Sequence, residues 1–488
     1  MSKADKAFEY RVESLIREAL NSSDDRTPDE RRIHGEALRE KVPLASHAIW
    51  TAPADRNDPV DLLKSQGESR VQQLLPLRYE RMSVSAFTFY RGGALIMASD
   101  LSQTPSTGIR VQACGDAHIA NFGLFSSPER HTIFDINDFD ETARGPWEWD
   151  VKRLAASVEI CGRDRAFSDK DRKEAVIGCV QGYCNGMAEF ATRGNLDVWY
   201  THTDIEHLME HFSEQAPVKD PQKAGKVIGK VKTKDNALAV TKLTEVVDGQ
   251  LRVVSNPPLV MPIRDIVSGG YYGVSLDIAD AADFLKEAFS EYLNTLSPEK
   301  RHLLTQYRGV DVGVKVVGVG SVGTRCLIVV MQGAGREDPL VLQIKEAQES
   351  VLERFCGKDV FTEHGQRVVE GQHAMQAASD MLLGWCQLRD ENGMMRDYYV
   401  RQLWDGKGSI DLTKISVEGL KLLSEVCGRT LAHAHARTGD RFAIAGYLGD
   451  GADFSKAIAK FARSYANQNE ADYARFMAAL KAGELSIK

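Results

Sequence analysis

The chain has 488 residues, of which 43% are apolar and 27% charged, and a formal net charge of −8; this is ordinary globular composition, with length for two or three domains and a sizeable core. The acidic balance argues against broad nucleic-acid binding, which leaves a basic footprint, but allows a local phosphate site. No stretch approaches about 18 apolar residues, and the start "MSKADKAFEYRVESL" has no apolar h-region, so no membrane partner and no secretory signal are expected and the default location is cytoplasmic.

Residues 1–75 read as a charged helical extension with a solvated linker, "NSSDDRTPDERR". "LLPLRYERMSVSAFTFYRGGALIMASDL" is apolar and helix-like, with a break near Gly92 and Gly93. "GIRVQACGD", "NFGLF" and "RHTIFDINDFD" read as strands. "WEWDVKRLAASVEICGR" reads as a helix with Trp149, Leu154, Val158 and Ile160 along one stripe. Helices are expected over 169–192, 203–214 and 278–307. Between them, Asp248-Gly249 supplies a positive-φ turn joining two β-branched runs in a hairpin. A β-rich block follows from "GVDVGVKVVGVGSVGTRCLIVVMQG" to "PLVLQIKEA", then a helix near 365–383, a strand at "DYYVRQLWDG" and a helical tail. The eight cysteines are scattered without a CxxC pair, which suggests buried, reduced thiols.

The densest chemistry lies in "CGDAHIANFG" and "INDFD". Asp116 and Asn121 form D-x4-N, and Asp138 follows seventeen residues later. Phosphoryl transfer has a use for each. One carboxylate orients an attacking hydroxyl and accepts its proton, while an amide oxygen and a second carboxylate hold Mg²⁺ against nucleotide phosphates. Mg²⁺ takes hard oxygen ligands, often only a few from the protein.

"GDAHIANFG" resembles the catalytic loop of aminoglycoside-phosphotransferase-like kinases, G-D-x-H-x-x-N. "DFDETARGPWEWDVKRLA" is similar to the metal-binding segment that follows in those enzymes, with a glycine seven places after the first Asp and another Asp twelve places after it, here Gly145 and Asp150. The resemblance implies Asp116 as catalytic base, His118 as a loop-shaping residue, Asn121 and Asp138 as metal ligands, and Asp140 as a further ligand candidate. Asp150 would brace the catalytic loop.

Residues 318–323, "GVGSVG", satisfy GxGxxG. A dinucleotide fingerprint needs a helix directly after the loop; "TRCLIVVMQG" is β-rich, which favours a kinase-type loop between two strands. Gly318, Gly320, Ser321 and Gly323 are then the phosphate cradle. Lys345, in "LVLQIKEA", is the candidate phosphate-gripping lysine. Its expected partner is Glu370, with Glu349 and Glu353 as rivals. These elements follow the catalytic loop by some 200 residues, the reverse of kinase order. Either the fold is circularly permuted, as close surface termini permit, or the glycine loop is coincidental; permutation is the preferred reading.

"FYRG", "GDAHIANFG", "QAASD" and "HARTGD" together resemble an uncharacterised bacterial domain-of-unknown-function family grouped with kinase-like proteins. The expectation is an α+β, two-lobed, protein-kinase-like fold, circularly permuted. A helical large lobe spans 76–307, a β-rich nucleotide-binding lobe 308–410, and helices from 411 to 488 return to the large lobe. The expected function is ATP- and Mg²⁺-dependent phosphoryl transfer to an unknown small-molecule or protein acceptor; the alternatives are nucleotidyl (AMP) transfer and non-catalytic nucleotide binding.

Two other signals read as structural, and a third stays open between two roles. "HLMEH" at 207–211 matches an inverted zinc-protease motif, but Ile205, Leu208, Met209 and Phe212 make an ordinary amphipathic stripe that leaves His207 and His211 off the packed face. His433 and His435, two apart on a helix, point too far from each other to share a metal. Arg91 either reaches a phosphate or braces the catalytic loop.

Overall fold

The computed structural model of the chain describes residues 25–204, 236–247, 250–269, 278–316, 318–335, 338–390, 393–403, 408 and 410–487. Helices α1 (Pro28–Lys41) and α2 (Pro59–Gly67) open it. Thr27 and Glu30 cap α1 reciprocally, satisfying two orphan N–H groups. The apolar run after residue 74 is three short helices, α3 (Leu75–Met82), α4 (Ala86–Gly92) and α5 (Ala94–Leu101). The break at Gly93 was expected; the one before Ala86 arises because Ser85 and Thr88 form a second capping box.

The three expected strands are β1 (Arg110–Ala113), β2 (Phe122–Ser126) and β3 (Thr132–Ile136), with β2 and β3 paired as an antiparallel hairpin. The sequence reading has no strand at β4 (Ala143–Pro146), which pairs with β1 and sets Ala143 opposite Ala113. That pairing returns the chain beside the turn that follows β1. Helix α6 (Trp147–Asp164) departs from the one-stripe expectation. It is buried on nearly every side, Glu148, Asp150, Lys152, Arg153 and Glu159 included. It runs through the largest core, packed by α7 (Asp169–Thr192) and the C-terminal helices. Buried charges of this kind need partners, and two of them find theirs at the site described below.

Residues 205–235, with the HLMEH motif and most of the helix expected over 203–214, lie outside the described residues. So does the Asp248-Gly249 turn, although the strands it joins, β5 (Thr244–Val247) and β6 (Gln250–Val253), pair antiparallel. A six-stranded antiparallel sheet follows from β7 (Val260–Pro262), β8 (Arg308–Lys315), β9 (Cys326–Gln332), β10 (Pro339–Ala347), β11 (Gly384–Arg389) and β12 (Met395–Gln402). Its spatial order is β11-β12-β10-β9-β8-β7. Helix α8 (Ile278–Thr295) packs on β11, and α9 (His364–Met375) on β10, β11 and β12. The expected 365–383 helix stops at Met375, because "QAASD" turns: the Asp380 carboxylate accepts the Leu382 N–H at 2.9 Å and the Gln402 amide at 2.8 Å.

The tail is helical as read: α10 (Val417–Thr438), α11 (Arg441–Leu448) and α12 (Ala452–Ala482). Helix α10 crosses α7 so closely that a Cβ at Gly428 would lie 1.9 Å from the Cys179 carbonyl oxygen. One core cluster runs from Phe87 to Ala466 and takes in Ala347, Val369 and Tyr399, so sheet and helices share it. A second core lies between α8 and the sheet. All eight cysteines are free thiols, and all but Cys356 are buried. Among the described residues no helix is long and apolar enough to cross a membrane.

Candidate functional site

After β1 the chain turns through Cys114 and Gly115 into Asp116. Asp150 on α6 makes that turn: its Oδ2 accepts the Cys114 N–H at 2.6 Å and its Oδ1 the Gly115 N–H at 3.0 Å. His435 backs the same carboxylate, with Nε2 3.2 Å from Oδ2 and Nδ1 3.0 Å from the Tyr183 hydroxyl. His433 faces the Val198 carbonyl at 2.8 Å. Both histidines are therefore buttresses. Gly115 has φ +76, and a Cβ there would sit 2.3 Å from the Glu141 carbonyl oxygen, so the turn requires glycine.

Asp116 is 15% exposed. Arg153, one helical turn after Asp150, holds it: Nε donates to Oδ1 at 2.7 Å and Nη2 meets the same oxygen. The guanidinium also stacks 4.5 Å from the Tyr90 ring centroid and donates to the Tyr90 carbonyl at 3.2 Å. Of the two roles read for Arg91, the brace falls to Arg153. Arg91 lines the cavity, its buried Nε has no hydrogen-bond partner, and its charge acts on Asp116 and Asp138. Burial pushes the Asp116 carboxyl up to about 7, against the pull of Arg153 and with help from Asp138 and Glu141. His118 Nε2 lies 3.8 Å from Asp116 Oδ2, and burial holds that imidazole well below its usual range, so it is neutral at physiological pH. Asn121 donates its side-chain N–H to the Asp116 carbonyl at 2.8 Å. His118 and Asn121 are both buried beside Asp116 and do not line the cavity.

These contacts set an expected result. Were Asp116 to serve as a general base it would have to be ionised, and kcat/KM would fall about tenfold per unit below an apparent pKa near 7. Arg153→Leu removes the charge that opposes burial, so the limb should move to higher pH. It also leaves a buried carboxylate unpaired, costing about 3–5 kcal/mol in a urea melt. A pH–rate profile unchanged by Arg153→Leu would show that this arginine does not tune Asp116.

Asp138 and Asp140 stand on the turn between β3 and β4. Asp140 is heavily engaged: it accepts from Tyr399 OH at 2.8 Å and Ser321 Oγ at 3.0 Å, and pairs with Lys345 Nζ. Lys345 also donates to Ser321 Oγ at 2.8 Å. Burial alone would lower the Lys345 pKa; Asp140, Tyr399 and Asp138 together raise it above the usual lysine range. Asp138 carries a single weak contact, from the Asp140 N–H at 3.4 Å to Oδ1, and so has the freer carboxylate. Glu370 is half-buried on α9 and is not among the hydrogen-bond partners of Lys345. Of its rivals, Glu349 engages Lys358, and Glu353 accepts the Ser350 N–H at 3.0 Å. The residue α9 sends inward is Arg367, buried and donating to the carbonyls of Asp140 at 3.0 Å and Gln348 at 2.7 Å.

The glycine loop joins β8 to β9, as a strand–turn–strand. Gly318 opens it, its carbonyl accepting the Ser321 N–H at 3.0 Å, and Gly323 closes it with φ +93. An added Cβ on Gly320 would lie 3.6 Å from the Arg91 carbonyl oxygen and 4.0 Å from Asp116 Oδ2. The loop thus covers the Asp116 turn. Asp116, Asp138, Asp140, Gly320, Ser321 and Arg91 line one cavity of about 310 Å³. Ser65–Arg70 form a further wall, with Arg70 donating to the Val322 carbonyl at 2.6 Å. Nothing in the composition of that stretch, read as extension and linker, marks it as part of the site.

Two more residues escaped the sequence reading. Tyr399 is directly opposite Lys345 in the β10–β12 register. Arg401 stacks 5.4 Å from the Tyr399 ring and donates to Gln343 Oε1 at 3.0 Å. Burial disfavours its charge, but Tyr399, Asp138 and Asp140 more than offset that. The alternation in "YYVRQLW" puts both on one strand face; only the pairing shows which face.

Fold and site together define a mixed α+β protein in which an acidic turn lines a cavity and one of its carboxylates, Asp140, pairs with a buried lysine far away in sequence, Lys345, which does not itself line that cavity. The chain belongs to a bacterial family described as "Uncharacterized protein conserved in bacteria (DUF2252)", whose model matches residues 70–479. No curated protein and no solved structure matches it.

Proposed function

We propose that the protein is an ATP- and Mg²⁺-dependent phosphotransferase with a kinase-like, circularly permuted two-lobed fold. The observation that carries this reading is the pairing of buried Lys345 with Asp140 and Ser321, two residues that line one cavity with Asp116 and Asp138. The order of parts within the sheet unit supports it too. A glycine loop joins two strands, the lysine stands on the next, and a helix and two further strands follow. The helices after residue 411 pack on α6 and α7, as permutation requires.

In this reading Asp116 accepts the acceptor's proton and Arg153 orients it. The donor set at the acidic turn, two carboxylates and an amide oxygen, suits Mg²⁺, which would neutralise phosphate charge when bound. Asp138 and Asn121 would hold it, with Asp140 as the third oxygen donor. Lys345, Arg91 and the loop N–H groups are the cationic side of the site. Without nucleotide, Asp140 satisfies Lys345; a triphosphate would compete for the same ammonium.

The test has two stages. Millimolar Mg·ATP should raise the melting temperature, since a ligand selective for the native state stabilises it. Label from γ-³²P ATP should then move to an acceptor or to the protein itself. Transfer of α-³²P label instead would assign nucleotidyl transfer on the same parts. Stabilisation without transfer of either label, across a panel of hydroxylated and aminated acceptors, would favour a binding protein. No stabilisation at all would end the nucleotide reading.

A further inference from the structure

We propose that His131, His202 and Asp204 form a Zn²⁺ site that ties the tip of the β2–β3 hairpin to the segment following the helix Asn195–Tyr200. This does not rest on the nucleotide reading. One ligand atom from each residue lies within 4.8 Å of the other two. The backbones that carry them are already joined. Phe134 N–H donates to the Thr203 carbonyl at 2.9 Å, Ile133 and Asp204 form an antiparallel bridge, and Ser127 N–H donates to the His131 carbonyl at 2.8 Å. Side-chain rotation about this frame would bring the three donors toward the about 2.0–2.2 Å that Zn²⁺ requires. His131 and His202 are exposed, so His131 can turn toward an ion without displacing packed side chains.

A second feature points the same way. His202 Nδ1 lies 3.1 Å from the Tyr200 carbonyl oxygen. A carbonyl on Nδ1 fixes the tautomer with its proton there and leaves the Nε2 lone pair outward, the arrangement that orients histidine ligands in metal sites. Glu129 adds negative charge close enough to act on both imidazoles. Two imidazole nitrogens and one carboxylate oxygen suit a borderline divalent ion, Zn²⁺ ahead of Mg²⁺ or Ca²⁺, with a fourth position for water.

The site is separate from the cavity. His131 is at the hairpin tip, while Asn121 and Asp138 flank its base, about five residues or roughly 17 Å away along the strands. Bound metal would clamp the hairpin whose base carries Asn121 and Asp138, two of the three proposed Mg²⁺ donors.

The full chain, freed of metal by chelation, should be titrated with ZnCl₂ by calorimetry in millimolar Mg²⁺, and with CoCl₂ followed by visible absorption. One equivalent should bind, with the intense bands of four-coordinate Co²⁺. His131→Ala, His202→Ala and Asp204→Asn should each weaken Zn²⁺ binding by at least about tenfold. His131 and His202 are exposed and Asp204 is half-buried, so a melting temperature of each metal-free variant close to the parent's shows that it folds. A His207→Ala/His211→Ala variant should bind as the parent does. No saturable one-to-one binding, equal affinity in His131→Ala and parent, or loss only in the His207/His211 variant would each overturn the proposal.

Discussion

Asp116→Asn should lower kcat by about 10²–10⁴-fold, the range that general base catalysis commands, while leaving Mg·ATP affinity within a few-fold of the parent. The substitution is nearly isosteric and keeps the turn, because Cys114 and Gly115 are held by Asp150 rather than by the Asp116 side chain. What changes is charge. The amide cannot accept a proton from a hydroxyl, and Arg153 loses its counter-ion. Some stability should therefore be lost, and a melt must accompany the kinetics. The split is diagnostic: binding retained with turnover lost fits a base, binding and turnover lost together fits a collapsed site. Turnover within tenfold of the parent would remove Asp116 from the chemistry.

Lys345→Met should have the larger effect on the molecule as a whole. Lys345 is 3% exposed and is the cation paired with Asp140. Removing one partner of a buried pair costs about 3–5 kcal/mol, because the remaining charge stays in a poor solvent. Asp140 keeps hydrogen bonds from Tyr399 and Ser321, which places the expected loss at the lower end. The methionine variant should also lose stabilisation by Mg·ATP. Adding Asp140→Asn separates the two effects. The double variant no longer buries an unpaired carboxylate, so the urea midpoint should recover much of the loss, while nucleotide binding should not return. Equal instability in single and double variants would mean that packing of the lysine stem, not its charge, matters there.

The Asp116 turn was legible because its information is local. The Asp116–Asn121 spacing, the glycine at 115 and the carboxylate at 150 lie within one β-strand-to-helix excursion, and loop N–H groups in such a turn need an acceptor. In the sheet unit, β8, β9, β10 and β12 could be followed from alternation and glycine placement, whereas the short β7 and β11 were not read as strands. What escaped was whatever depends on long-range pairing. Lys345 was recognisable as a buried cation, but its partner, read as Glu370, is instead a residue some 200 positions earlier. The pattern on α9 cannot say that Arg367, three residues before Glu370, is the side chain that turns inward. Helix α6 misled for a related reason. Its apolar stripe is real, but its charged residues are buried too, and only their partners in other elements explain why. Ser65–Arg70 look like linker because polar residues lining a cleft and polar residues in solvent have the same composition.

The most direct measurement is a crystal structure of the full chain grown with Mg²⁺ and a non-hydrolysable ATP analogue. The predicted result is a triphosphate between Lys345 and an ion bound by Asp138 and Asn121, with the Lys345–Asp140 contact loosened and the 318–323 loop lying over the phosphates. Nucleotide bound away from that cleft, or an empty cleft with Lys345 still on Asp140 at saturating analogue, would contradict it.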